Sequence, residues 1–259
     1  MFERIRNKTV VITGASSGFG NSIARIFVKY GANVVITARR LDRLEELKAE
    51  LLDKHPEAKI HPLKLDVTDK AAVVEAFSKL PEWASEPDVL INNAGVALGF
   101  DPVSDLVEEN ITKMFDTNVK GVVFVTQQVL PSMKKRNEGV IINIGSLLGI
   151  HSVGNLSIYS ATKHALRAIT DSLRIETNST KIRVVEVDPG MAETEFNLVR
   201  TGHDEELSKN MYNGVDLMTP EDVAEVTLFA ASRHPRCVIS QVSIAPQAQA
   251  NPFILRRNA

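Results

Sequence analysis

The sequence predicts a doubly wound α/β domain, a parallel sheet of seven strands with helices on both faces. Three observations carry that reading. Short β-branched runs alternate with longer helical patterns along the whole chain, the runs are apolar at nearly every position, and a glycine-rich turn follows the first of them. Strands without a polar side are buried on both faces, as in a parallel sheet covered by helices.

Taken in order, the strands are "TVVIT" (9–13), "NVVIT" (33–37), "KIHPLKL" (59–65), "DVLIN" (88–92), "GVIINIG" (139–145), "IRVVEV" (182–187) and "CVISQVSI" (237–244). Helical patterns fall near 18–30, 41–54, 69–79, 105–135, 156–178 and 220–232. No linker, repeat or low-complexity stretch divides the chain, so residues 1–259 read as one domain, with a loop region of about 190–215 as a lid. The patterns over 105–135 and 156–178 are apolar on more than one face, which predicts that a second copy of the chain covers them.

Composition narrows the function classes. Apolar residues make up 44% and charged residues 24%, close to the globular average. A net charge of −2 offers no electrostatic footprint for nucleic acid or an anionic membrane. A single cysteine, Cys237, excludes an internal disulfide, and the six histidines lack metal-ligand spacing, so no metal site is expected. No apolar run approaches the ~18 residues of a membrane span, and the N-terminus enters a strand without a signal-peptide core. The expectation is a cytoplasmic protein with a small-molecule substrate and neither nucleic acid nor membrane as partner.

The first strand runs into "TGASSGFG", so Gly14, Gly18 and Gly20 open the following helix. Glycines here permit a tight turn and let a ligand approach the helix N-terminus, whose free N–H groups and dipole suit a pyrophosphate. Between the first strand and first helix of a βαβ unit, this is a Rossmann-type dinucleotide fingerprint. The second strand ends "TARR", where a cofactor with a free ribose 2′-hydroxyl is usually met by Asp or Glu. Arg39 and Arg40 instead match a 2′-phosphate through charge-assisted hydrogen bonds, with a hydroxyl from Ser16, so NADP(H) is expected over NAD(H). The alternative is that both arginines are solvated at the start of the next helix, pairing with Glu45 or Glu46. Asp66, "NNAG" (92–95), "IGS" (144–146) and "DPG" (188–190) end the third to sixth strands, all on the edge where such sheets bind ligands.

On the long helix after the fifth strand, Tyr159 and Lys163 are one turn apart and share a face. An ammonium ~4 Å from a phenol favours the phenolate by about 4 kcal/mol at an effective dielectric of ~20, the direction acid–base catalysis needs.

In this order and spacing, "TGASSGFG", "NNAG", Asn118, Ser146, "YSATK" and "DPG" resemble the short-chain dehydrogenase/reductase superfamily over essentially the whole chain. The resemblance implies hydride transfer between a nicotinamide and a substrate alcohol or carbonyl carbon. Tyr159 would be the acid/base, and Ser146 would hydrogen-bond the reacting oxygen. Lys163 would hold the nicotinamide ribose and act on the tyrosine, and Asn118 would anchor a water in the proton relay. Contacts to the cofactor would come from Gly14, Ser16, Ser17, Gly18, Phe19, Gly20, Arg39, Arg40, Asp66, Val67, Asn92, Ala94, Gly95, Tyr159, Lys163, Pro189 and Gly190, with Met191 and Thr194 at the carboxamide. A homotetramer through the two apolar helices is implied as well.

"ARRLDRLEELK", "NNAGVALGFDPV" and "ETEFNLVR" are similar to the branch of NADP-dependent 3-hydroxy acid dehydrogenases acting on serine, L-allo-threonine and related acids. A carboxylate substrate needs a cation, and Arg200 is the candidate, its alternative being a solvated residue on a mobile lid helix. Leu147, Leu148, Ile150 and Phe196 predict an apolar wall, which sits less easily with serine. Asp188 would repel a carboxylate if it faced the pocket. Two other readings stay open: a broader ketoreductase of apolar carbonyls, and an NADP(H)-binding protein without turnover.

Overall fold

The computed structural model describes every residue except Met1, His203, Asn258 and Ala259. Seven strands form one sheet in the order β3-β2-β1-β4-β5-β6-β7, all parallel. They are β1 (Thr9–Thr13), β2 (Asn33–Ala38), β3 (Ile60–Lys64), β4 (Val89–Asn92), β5 (Gly139–Ile144), β6 (Ile182–Pro189) and β7 (Gln241–Ile244). Because β1 pairs with both β2 and β4, chain direction across the sheet reverses there, which opens a crevice at the C-terminal strand ends.

Alternation along each strand sends neighbouring residues to opposite faces, and two cores result. Val10, Ile12, Val34 and Ile36 meet Ile23 and Phe27 of α1 (Gly18–Lys29), Leu44 and Leu47 of α2 (Leu41–Lys54) and Val223 and Leu228 of α9 (Pro220–Ala231). Val11, Val35, Leu90 and Ile141 point the other way. They meet Val73 of α3 (Lys70–Ser78), Val125 and Val129 of α5 (Gly121–Arg136) and Leu173 of α6 (Ser157–Glu176). Start signals agree with the chain: Asp69 caps α3 by accepting the Ala72 N–H, and Thr219 with Asp222 forms a capping box ahead of Pro220.

Several predicted boundaries move. The helix expected over 105–135 begins at Glu108 as α4 (Glu108–Phe115), widens into a π-turn over Asp116–Lys120 and continues as α5. The strand expected from 237 starts at Gln241: a turn ties the Cys237 N–H to the His234 carbonyl, and of residues 237–240 Ser240 meets β6 through its carbonyl, which accepts the Glu186 N–H at 3.0 Å. The region expected as a lid carries two short helices, α7 (Phe196–Arg200) and α8 (Glu205–Tyr212), the second capped by Asp204. An unforeseen hairpin, β8 (Gln249–Asn251) with β9 (Ile254–Leu255), follows the sheet.

Through the sheet's centre runs a buried polar ladder. Asn92 donates to Thr126 on α5 (3.1 Å) and to the Asn143 side-chain carbonyl (2.9 Å), and Asn143 donates to Thr170 on α6 (2.8 Å). It ties two helices to two strands directly below the crevice. Asn143→Ala strands buried partners at roughly 1–3 kcal/mol each, so chemical denaturation should show a midpoint loss with an unchanged m-value.

Candidate active site

A cleft of about 890 Å³ opens over the C-terminal ends of β1, β2, β4, β5 and β6. On its floor Gly14 and Gly18 adopt φ of +69° and +53°, and no side chain caps α1, whose leading N–H groups head the helix dipole. The turn is pressed against the β4 loop. A Cβ on Gly20 would lie 2.4 Å from the Gly14 carbonyl oxygen and 2.5 Å from Asn93 Nδ2, and Asn93 itself donates to the Thr13 carbonyl at 2.8 Å. A backbone cradle bare of side chains at a helix N-terminus fits a pyrophosphate.

At one end of the cradle, Arg40 folds back over it. Its guanidinium donates to Ser16 Oγ (3.0 and 3.2 Å), Ser17 Oγ (2.9 Å) and Glu195 (3.2 Å). Arg40 thus pairs with neither Glu45 nor Glu46; its acidic partner comes from the lid. Glu195 is shared with Arg43 at 2.7 Å, and the two guanidiniums outweigh partial burial to hold its carboxyl below the usual range. Arg39 is exposed at the same rim.

At the other end stand the reactive side chains. Lys163, 5% exposed, donates to the carbonyl of Ile144, the last residue of β5, at 2.8 Å. The ammonium lies 5.8 Å from the Tyr159 ring centroid on the same helical face. Ser146 Oγ accepts the Leu148 N–H at 3.1 Å, which leaves its own proton to be given into the cleft. Tyr159 packs edge-on against Phe196, and the Arg200 guanidinium sits 5.5 Å from the Tyr159 ring and 5.4 Å from that of Phe196. The lid thereby brings a cation beside the phenol.

Most residues singled out in the sequence line this cleft: Gly14, Ser16, Ser17, Gly18, Phe19, Arg39, Arg40, Asp66, Val67, Ala94, Gly95, Ser146, Leu148, Tyr159, Lys163, Pro189, Gly190, Met191, Thr194 and Arg200. Ile150, expected in the apolar wall, is not among the residues that line it, and three others lie beneath it. Gly20 is packed under the turn, Asn92 belongs to the internal ladder, and Asn118 is buried in the π-turn. There the Asn118 amide bonds both the N–H and the carbonyl of Val96 at 2.8 Å and donates to Thr162 at 3.0 Å, so its side chain is engaged in holding the β4 loop. Asp188 faces away from the cleft and accepts the Ser146 N–H at 3.1 Å, so it does not oppose an anion in the cleft. The sequence reading missed Glu195, the hairpin residues Phe253 and Leu255, and Arg257, which line the cleft too. Gln249 was missed as well; its side-chain oxygen accepts the Met191 N–H at 2.9 Å.

A parallel seven-stranded sheet with a glycine cradle and a Ser-Tyr-Lys group at its C-terminal edge defines a nucleotide-dependent oxidoreductase. The comparisons agree. Residues 8–204 match the model of the short chain dehydrogenase family, and the chain belongs to that family. It is 43% identical over 247 residues to the NADP-dependent 3-hydroxy acid dehydrogenase of Schizosaccharomyces pombe, covering 95% of each chain. To the serine 3-dehydrogenase of Agrobacterium fabrum it is 38% identical over 241 residues, covering 93% of this chain and 94% of the other. Among solved structures, the closed form of a serine dehydrogenase complexed with NADP+ superposes with a TM-score of 0.90 at 37% identity, covering 97% of this chain and all 100% of that one.

The cradle yields its own test. Gly20→Ala forces the Gly14 turn and Asn93 apart, and NADPH affinity should fall at least about tenfold, roughly 1.4 kcal/mol, in a fluorescence titration.

Proposed function

We propose that this protein is an NADP-dependent dehydrogenase that oxidises small 3-hydroxy acids at C3, or reduces the matching semialdehydes. The observation that carries the reading is the placing of Arg200 beside Tyr159, a cation for a substrate carboxylate next to the group that handles the hydroxyl proton. Relatives named for 3-hydroxy acids and serine at 43% and 38% identity support it.

NADP, when bound, supplies the hydride acceptor. Gly14, Gly18 and the N-terminus of α1 hold its pyrophosphate, and Arg39, Arg40, Ser16 and Ser17 hold its 2′-phosphate. Ser146 donates its hydroxyl proton to the reacting oxygen and so orients the substrate. Tyr159 takes the proton from that oxygen during oxidation and returns it during reduction. Lys163, tethered to β5, keeps a positive charge beside the phenol, stabilises its anion and offers its remaining protons to the ribose. Asn118 acts through structure, holding the β4 loop and Thr162 of α6 in register from within the π-turn.

Leu147, Leu148, Phe196 and Val199 give the substrate end an apolar wall, which favours a broader carbonyl reductase as second reading. Half-buried Phe115, Val119 and Val123 on the α4–α5 unit supply an apolar strip for a second copy and support a homotetramer. No helix among the described residues is long and apolar enough to cross a membrane.

NADPH formation at 340 nm should favour 3-hydroxyisobutyrate, 3-hydroxypropionate, L-serine or L-allo-threonine over an uncharged cyclic alcohol. Arg200→Ala should abolish that preference; survival of activity on uncharged carbonyls alone would move the substrate to the second reading. Tyr159→Phe should keep NADPH affinity and lower kcat roughly 10²–10⁴-fold, and undiminished turnover would refute its acid/base role.

A further inference from the structure

Behind Ser146, on the side away from the cleft, lie two carboxyl groups that the proposed chemistry does not use. Glu186 and Asp188 are two apart on β6 and project to one face, with only 1% and 0% exposure. Gly145 makes room for them, since a Cβ there would stand 2.1 Å from Asp188 Oδ1 and 2.9 Å from Glu186 Oε1. Asp188 accepts the Ser146 N–H at 3.1 Å through one oxygen and the Gln241 amide at 2.7 Å through the other. Both carboxyl groups thus crowd one point beside Gly145, and Glu186 Oε1 is buried there without a hydrogen-bond partner among the described residues. Two adjacent carboxylates out of water repel each other strongly, and a proton held by one of them removes that repulsion and supplies a donor for the other.

We propose that Glu186 and Asp188 form a one-proton unit that positions Ser146, Glu186 supplying the proton and Asp188 the charge that holds the Ser146 backbone. The proposal rests on the dehydrogenase role given to Ser146 above. Both are positioning residues, acting through Ser146 rather than on substrate. Charged groups facing the pair come from α6: Lys163 toward Asp188, and Arg167 and Asp171 toward Glu186. β7 contributes neutral Gln241, and the end of β5 contributes the backbone of Gly145 and Ser146. In this setting burial and the neighbouring Asp188 push Glu186 up to about 8. Loss of its proton to solvent leaves two anions against Gly145 and loosens the anchor of Ser146.

The sign follows from linkage. An unfolded glutamate titrates near ~4.3, so between there and about 8 the folded protein holds a proton that the unfolded chain has lost. Stability therefore falls as pH rises through that window and levels beyond it. Glu186→Gln keeps a neutral donor to Asp188 and removes the titration.

The test uses the whole protein. Thermal midpoints of the cofactor-free protein from pH 6 to 9.5, and kcat for alcohol oxidation over the same range, are compared between wild type and Glu186→Gln. Tyr159 is the base in that direction, so its ionisation does not itself cause an alkaline fall. Wild-type kcat should fall above about pH 8, and in Glu186→Gln that fall should move up by at least one pH unit, with a shallower midpoint slope. Asp188→Asn should lower kcat at least about tenfold, roughly 1.4 kcal/mol of transition-state stabilisation, with NADPH affinity within about twofold of wild type. Superimposable pH profiles of wild type and folded Glu186→Gln would overturn the proposal while leaving the dehydrogenase standing. If no 3-hydroxy acid turns over, the functional reading fails, and equal midpoint slopes would then overturn the shared proton by themselves.

Discussion

The bond from the Lys163 ammonium to the carbonyl of Ile144 joins the long helix α6 to the end of β5, and the rest of the site is arranged around that junction. In a parallel sheet each strand stops at the same edge, so groups distant in sequence arrive side by side without any of them being placed individually. One turn back along the same helical face is Tyr159, and two residues beyond Ile144 is Ser146, its backbone fixed from below by Asp188 of β6. The buried ladder of Asn92, Asn143, Thr126 and Thr170 holds both helices to the same strands. Fold and site therefore depend on the same few polar ties crossing an apolar core.

The polar ties below the cleft differ in kind from the ion pairs at its rim. The Glu195 bridge to Arg40 and Arg43 joins groups about 40% exposed, where solvent screening leaves little net stabilisation. Its effect lies in orientation, since it turns Arg40 toward Ser16 and Ser17 and links the lid to the nucleotide end. The carboxyl pair behind Ser146 is sealed from water, and there a misplaced proton has consequences that a surface pair escapes.

Much of this was legible in the chain because two signals are local. Runs such as "TVVIT" and "GVIINI" can only be strands buried on both sides, and the glycine turn and the Tyr159–Lys163 pair sit within single elements. What escaped was non-local or conformational. A π-turn leaves no periodic mark, so 105–135 read as one even helix. The choice of Glu195 over Glu45 or Glu46 as partner of Arg40 depends on a lid that closes across more than 150 positions of sequence. The hairpin reaching the cleft is "QAQANPFIL", too short and too mixed to signal strands. Asp188 looked like an unwelcome charge because sequence gives its neighbours but not its direction. Asn118 was found through the family pattern, whereas its hydrogen bonds to Val96 give it a structural task the pattern alone did not reveal.

In the proposed reaction, hydride leaves C3 of a 3-hydroxy acid for NADP under the control of Ser146, Tyr159 and Lys163. It is tested most directly by oxidising L-allo-threonine, whose C3 bears a single hydrogen, with deuterium at that position and locating the label by NMR. Deuterium is expected at C4 of the reduced nicotinamide, on one face only. Label retained in the product or lost to solvent would contradict it.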